Sequence, residues 1–232
     1  MQIYGEWHKS RGHLAGFCLL LAVLILPFSA VSANAQTGSA NAQSGSDIDE
    51  LIKLLDQTTR MRGSFSQLQY DSDKVLLGES SGSFVMLRPG YFSWHIQSPD
   101  RQLIIATPEY IWHHDIDLET VTRRPVKKSA AMSPLQILGG DEALLRSQFV
   151  VTQSAAGSFI LTPHIAAGDT NPGFKRLSLT LENGVLMAME IIDALNQRVL
   201  ITFQDVDKSP DLSPEDFTFT PPDGVDLFYY DE

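Results

Sequence analysis

The run Ser83-Phe84-Val85-Met86-Leu87-Arg88-Pro89-Gly90-Tyr91-Phe92-Ser93-Trp94-His95-Ile96 decides the fold. Its β-branched and aromatic residues, broken by Pro89-Gly90, read as two short antiparallel strands joined by a turn. Gln102 to Thr107, Tyr110 to His114 and Thr120 to Arg123 continue the pattern, and the whole stretch to Thr122 carries two of the three tryptophans. Upstream, a period of two begins at Gly63, where Phe65, Gln67 and Gln69 alternate with Ser66, Leu68 and Tyr70. A polar turn around Asp71 to Lys74 leads into a second strand from Val75, and Gly78-Glu79-Ser80-Ser81-Gly82 reads as a hairpin loop before Phe84. Strands about ten residues apart with turn signals between them are the mark of a sandwich or barrel.

Helices are few. Ser46-Asp47 offers an N-cap, and Ile48, Leu51, Ile52 and Leu55 then fall on one helical face. Residues 124–148 interrupt the β pattern: after a loop at Pro125 to Lys128, Ser133-Pro134 opens a short apolar helix through Leu135, Ile137 and Leu138, which Gly139-Gly140 ends. Strands resume at Phe149 to Gln153, Ser158 to Thr162, Lys175 to Leu181, Val185 to Ile192 and Val199 to Phe203, the last two joined by a hairpin at Leu195-Asn196-Gln197. Phe217-Thr218-Phe219 supplies a final extended stretch before Pro221-Pro222. No internal repeat or composition shift divides residues 47–232, which form a single expected domain.

The N-terminus reads as an address. Lys9, Arg11 and His13 precede an apolar run from Leu14 to Phe28, and Ala33-Asn34-Ala35 follows as a small-x-small cleavage site. Residues 1–35 are expected to be a signal peptide cleaved near Ala35, and the Gly/Ser/Ala-rich residues 36–46 a flexible leader. The run contains Pro27 and is shorter than the roughly 20 residues that a membrane span needs. The single cysteine, Cys18, lies inside that run, so the exported chain is expected to be cysteine-free, unlipidated and held by its core alone. The full chain has net charge −11, and removal of Glu6, Lys9 and Arg11 leaves roughly −12. That sign disfavours nucleic acid and stable insertion into or adsorption on anionic membranes.

Catalytic signals are weak. Gly78-Glu79-Ser80-Ser81-Gly82 matches the serine-hydrolase pattern, but a β-run follows where a helix is required. His113-His114-Asp115-Ile116-Asp117 resembles a metal cluster, yet adjacent histidines on a strand point to opposite faces. Asp115 and Asp117 could share a face and hold calcium, without further carboxylates of suitable spacing, and a polar turn is the plainer reading. What stands out is an apolar surplus: Met86, Phe92, Trp94, Trp112, Met187 and Met189 are individually ordinary core residues. Together, on a curved sheet with a short apolar helix to cover it, they suit a wall for greasy ligands. Arg88 is the odd residue, a guanidinium with five donors at the end of an apolar strand, able to bind backbone carbonyls at a helix end.

At these residues the chain resembles the periplasmic lipoprotein carrier family LolA, from Ile48 to about Asp226. The likeness rests on Gly63-Ser64-Phe65-Ser66-Gln67, Leu87-Arg88-Pro89-Gly90-Tyr91-Phe92-Ser93-Trp94, Ser98-Pro99-Asp100, Tyr110-Ile111-Trp112, Asp115 to Thr122, Ser133-Pro134-Leu135 and Phe217-Thr218-Phe219-Thr220-Pro221-Pro222-Asp223-Gly224-Val225. The resemblance implies a mainly β fold with short helices, an incomplete antiparallel β-barrel covered by a helical lid. It implies a cavity for acyl chains, expected to be lined by Phe65, Met86, Phe92, Trp94 and Leu103, with Ile105, Trp112, Leu177 and Leu179. Pro134, Leu135, Ile137 and Leu138 match a lid helix, and Arg88 looks like a latch that bonds lid backbone in the closed, empty state. The implied role is a periplasmic chaperone, not an enzyme, without cofactor or metal and expected to be a monomer. It would take acylated lipoproteins from an inner-membrane lipoprotein-releasing ABC transporter to an outer-membrane acceptor lipoprotein. The chain departs from the family at Thr107-Pro108-Glu109, where an Asp-Gly turn is common, and at His113-His114, where an aromatic pair is common. Two other readings remain: a periplasmic lipid or lipoprotein sensor on the same barrel, and a secreted serine hydrolase using Ser80.

Overall fold

The computed structural model describes residues 40–126, 137, 142–164 and 173–230. Helix α1 (Ala40–Asp56) leads into β1 (Arg60–Tyr70), β2 (Leu76–Leu87), β3 (Tyr91–Ser98), β4 (Gln102–Ala106), β5 (Tyr110–Asp115) and β6 (Thr120–Pro125). A short helix, α2 (Glu142–Gln148), precedes β7 (Phe149–Ala155), β8 (Ser158–Pro163), β9 (Phe174–Glu182), β10 (Val185–Asp193) and β11 (Arg198–Asp207). A 3₁₀ turn (Pro214–Phe217) and β12 (Asp226–Tyr229) end the order.

All twelve strands form one sheet in the order β12-β6-β5-β4-β3-β2-β1-β11-β10-β9-β8-β7. Pairing is antiparallel except between β12 and β6, which run parallel, and β7 and β12 do not pair, so the barrel is open. The chain therefore meanders outward in two directions from β1, which pairs with both β2 and β11. On a flat sheet β3 and β7 would lie roughly 34 Å apart at the usual strand spacing. Here Trp94 of β3 and Phe149 and Val151 of β7 belong to one buried cluster, so the sheet curls around its own core.

The curl needs glycine at the crowded positions. Gly82 lies in β2 where the register to β3 shifts between Ser81 and Gly82, and a Cβ there would meet the His95 carbonyl oxygen at 1.9 Å. Gly63 stands at a similar shift between β1 and β11, where a Cβ would lie 2.7 Å from the Gln204 oxygen. Such bulges bend a strand and increase its twist.

Three expectations change. Gly78 to Gly82 is the middle of one long strand, β2, and not a hairpin loop; the hairpin is at Asp71 to Val75. There the Asp71 carboxylate accepts the Asp73 and Val75 N–H groups, at 2.9 and 2.8 Å. Helix α1 starts at Ala40, inside the expected leader and ahead of the expected cap at Ser46. The C-terminus adds the parallel strand β12, while Phe217, expected in an extended stretch, ends the 3₁₀ turn. The expected signal peptide lies outside the described residues, as do residues 36–39 of the leader.

Gly82→Ala is expected to destabilise the fold by about 1–3 kcal/mol through overpacking against backbone. Gly78→Ala in the same strand, where nothing lies within 4 Å of the new methyl, is expected to change stability by about 0.5 kcal/mol or less. Urea denaturation of the two variants checks the contrast.

Candidate functional site

Side chains directly opposite on paired strands share a face, so register sorts the sheet into two faces. On the concave face Phe84 pairs with Trp94, and Met86 with both Met61 and Phe92. Phe65 pairs with Phe203 across β1 and β11. Trp94 stacks on Phe65 with ring centroids 3.6 Å apart and on Phe92 at 5.7 Å, while Phe84 meets Phe203 edge-on at 5.0 Å. Leu177 and Leu179 of β9 extend the same cluster from the other arm of the sheet. Six of the nine expected cavity residues thus come together: Phe65, Met86, Phe92, Trp94, Leu177 and Leu179, each 3% exposed or less.

They meet as packed core. Ile48, Leu51, Ile52 and Leu55 of α1 lie in that cluster, with Leu51 fully buried, so the helix packs into the same core as the aromatic residues. Ile137 is fully buried in the same cluster; Pro134, Leu135 and Leu138 of the expected lid lie outside the described residues.

Leu103, Ile105 and Trp112 are on the opposite, convex face. Leu103 pairs with His95 and His114, and Ile105 with Ser93 and Trp112, one residue out of phase with Ile104, which pairs with Trp94. They pack in a separate cluster around Leu87 and Phe217, which the C-terminal segment covers. Phe219 approaches Trp112 at 5.3 Å and His114 at 5.8 Å, and Arg123 stacks over Tyr110 and Tyr229 at 4.5 and 4.6 Å. These three expected cavity residues thus lie apart from the other six, in the outer cluster.

Arg88, at the end of β2, donates from Nη1 to the Leu55 carbonyl of α1 at 2.7 Å, and its backbone N–H donates to Thr59 at 2.7 Å. That bond reaches the C-terminal end of α1, where the helix dipole favours a cation, while most of the expected lid lies outside the described residues. Burial pushes the Arg88 pKa down to about 10, against the opposing pull of Asp56. The guanidinium stays charged at neutral pH, and its buried Nε has no hydrogen-bond partner. A half-buried cation with one side-chain bond is a modest fastening, because its partial desolvation offsets part of that bond.

Other polar ties also hold α1. Asp47 accepts the Gln153 N–H of β7 at 2.9 Å, Arg146 of α2 bridges Asp49 at 2.7 Å, and Thr58 just beyond the helix donates to the Gly184 carbonyl at 2.9 Å. The helix is thus tied at its middle and at its C-terminal end, with its apolar stripe in the core.

The catalytic and metal readings fail on geometry. Ser80 sits mid-strand opposite Gln67, without the turn into a helix that a nucleophile elbow requires. Asp115 and Asp117 have separate partners. Asp117 takes the Arg101 backbone N–H and side chain, each at 2.7 Å, and those bonds hold its carboxyl below the usual range. Asp115 accepts the Leu118 N–H at 2.9 Å and faces Gln102. Sequence reasoning missed the covering role of α1 and the buried pair Gln102 and Asp115. The amphipathic stripe of α1 was legible, but nothing in it says which face it covers.

An open, mainly antiparallel sheet curled around a core into which a helix packs defines a plugged half-barrel. Residues 56–220 match the model of the family described as outer membrane lipoprotein carrier protein LolA. The chain is 35% identical over 211 residues to the outer-membrane lipoprotein carrier protein of Azotobacter vinelandii, covering 90% of this chain and 98% of that one. It is 34% identical over 191 residues to the protein of the same name from Pseudomonas aeruginosa PAO1, covering 81% and 90%. Among solved structures, a LolA superfamily protein from Nitrosomonas europaea aligns over 75% of this chain and 98% of its own, at 11% identity and TM-score 0.45. The chain belongs to the outer membrane lipoprotein carrier protein LolA family.

Arg88→Leu removes the bond that caps α1. Native-state hydrogen exchange of the α1 amides is expected to speed up by about five- to tenfold, the net worth of one hydrogen bond, with β1 and β11 unchanged. Equal protection of α1 in both proteins would mean that Arg88 does not fasten the helix.

Proposed function

We propose that this protein is a periplasmic chaperone that carries acylated lipoproteins on the concave face of its half-barrel. The observation that carries the reading is the near end-to-end likeness to outer-membrane lipoprotein carrier proteins, at 35% identity over 90% of the chain. The aromatic face beneath α1 supports it, since a surface of this chemistry becomes an acyl-chain site once the helix moves aside. Cargo is loaded from an inner-membrane lipoprotein-releasing ABC transporter and unloaded to an outer-membrane acceptor lipoprotein. Among the described residues no helix is long and apolar enough to cross a membrane. Arg88 acts as the latch of this device by resisting release of α1, and the apolar residues around Ile137 serve as the lid.

Loading competes with closure. A carrier whose binding-competent state is only partly populated has its affinity reduced by that fraction, which permits hand-off. Arg88→Leu then raises the open fraction and tightens cargo retention. The chain starting at Gln36, mixed with an acylated lipoprotein and its unacylated form, is expected to form a stable complex with the acylated form alone. Binding of the unacylated form alone, or of both equally, would overturn the carrier reading.

A further inference from the structure

The concave face is not apolar throughout. Beyond Trp94, register places Gln102 and Ile104 of β4, His113 and Asp115 of β5 and Arg124 of β6 on that same side. Ile104 packs against the aromatic cluster and pairs directly with His113. His113 therefore lies two strand spacings, roughly 10 Å, from the Trp94 backbone. Asp115 is buried, and its carboxylate is an acceptor only. Its Oδ1 takes the Leu118 N–H at 2.9 Å, and its Oδ2 faces the Gln102 Nε2 at 3.4 Å. That contact orients the Gln102 amide with its NH₂ toward Asp115 and leaves Oε1 toward His113 Nε2, 3.1 Å away. A carbonyl oxygen only accepts, so His113 carries its proton on Nε2. The other ring nitrogen, Nδ1, is then a lone-pair acceptor. Burial keeps the imidazole below its ordinary pKa against the pull of Asp115, and Arg124 and His114 add to the lowering.

The geometry points to a polar subsite in which the Asp115–Gln102–His113 relay fixes Nδ1 of His113 as an acceptor for an N–H group of the cargo. The ligand class is an amide: the N–H joining an acyl chain to a polypeptide N-terminus, or the first peptide N–H beyond it. An ester carbonyl of a glyceride has no proton to give and is not selected here. With the amide held at His113, an acyl chain has only one intervening strand, β4 with Ile104, to cross before it reaches Trp94. The subsite rests on the carrier reading and adds to it a reason for one orientation of the cargo.

Two lipopeptides test it, an N-palmitoylated pentapeptide and the same molecule methylated on the palmitoyl amide nitrogen and the first peptide nitrogen. Their affinities for the full exported chain are measured by calorimetry. Wild type is expected to prefer the N–H form by about five- to tenfold, the ordinary worth of one hydrogen bond. His113→Phe keeps the ring volume and is expected to bind both forms with a ratio near one. Gln102→Glu returns an acceptor to His113 without the fixed amide direction and serves as a second variant, expected to keep most of the preference. A wild-type ratio of one, or an undiminished ratio in His113→Phe, overturns the subsite and leaves the carrier reading intact. Failure of wild type to bind either lipopeptide overturns the carrier reading and the subsite with it.

Discussion

The structure depends on one packing, the apolar stripe of α1 in the concave core that also holds the aromatic residues. Ile48, Leu51, Ile52 and Leu55 together gain about 6–12 kcal/mol from burial at the usual 1.5–3 kcal/mol per side chain. A saturated acyl chain of about 14 methylenes gains about 11 kcal/mol on leaving water. The two are of the same order. A helix and an acyl chain that compete for one surface with similar driving force give reversible occupancy, which a permanent cavity of the same lining would not.

The polar ties around α1 set where that balance falls. Asp47 and Asp49 hold the middle of the helix to β7 and α2, and Thr58 and Arg88 hold its C-terminal end. Arg88 differs from the rest in being a half-buried cation with one side-chain bond and a buried, unbonded Nε. Its desolvation makes the closed state less favourable than the bond alone suggests, so one residue both fastens the helix and limits how firmly it is fastened. On the convex face the C-terminal segment covers Ile105 and Trp112, with Phe217 and Phe219 as its anchors.

Most of the strand order was legible because hairpins carry their own punctuation: Asp71 to Lys74, Pro89-Gly90 and Asn196 are where turns were expected. The faces were less legible. In β1 to β3 the apolar residues alternate, and Phe65, Met86, Phe92 and Trp94 lie together on the concave side. In β4 the run Leu103-Ile104-Ile105 is apolar on both faces, because the core covers one side and the C-terminal segment the other. Period two cannot phase such a strand, and Leu103 and Ile105, expected with Trp112 in the cavity lining, lie with it on the outer side. The long strand β2 was hidden by Gly78 and Gly82, which signal a loop locally, although Gly82 answers a tertiary crowding at His95 and Gly78 stands in open space. Arg88 was recognisable as a helix-end binder, and its partner helix was not, since a choice between two helices is a three-dimensional fact.

The most direct measurement uses Trp94 itself. A Trp112→Phe chain starting at Gln36 retains Trp94, stacked on Phe65 and Phe92, as its one tryptophan. Titrated with a lipopeptide whose acyl chain is brominated, this protein is predicted to lose Trp94 fluorescence saturably, with the same midpoint as binding. Saturable binding that leaves Trp94 emission unquenched would contradict the claim that the acyl chain replaces α1 on the concave face.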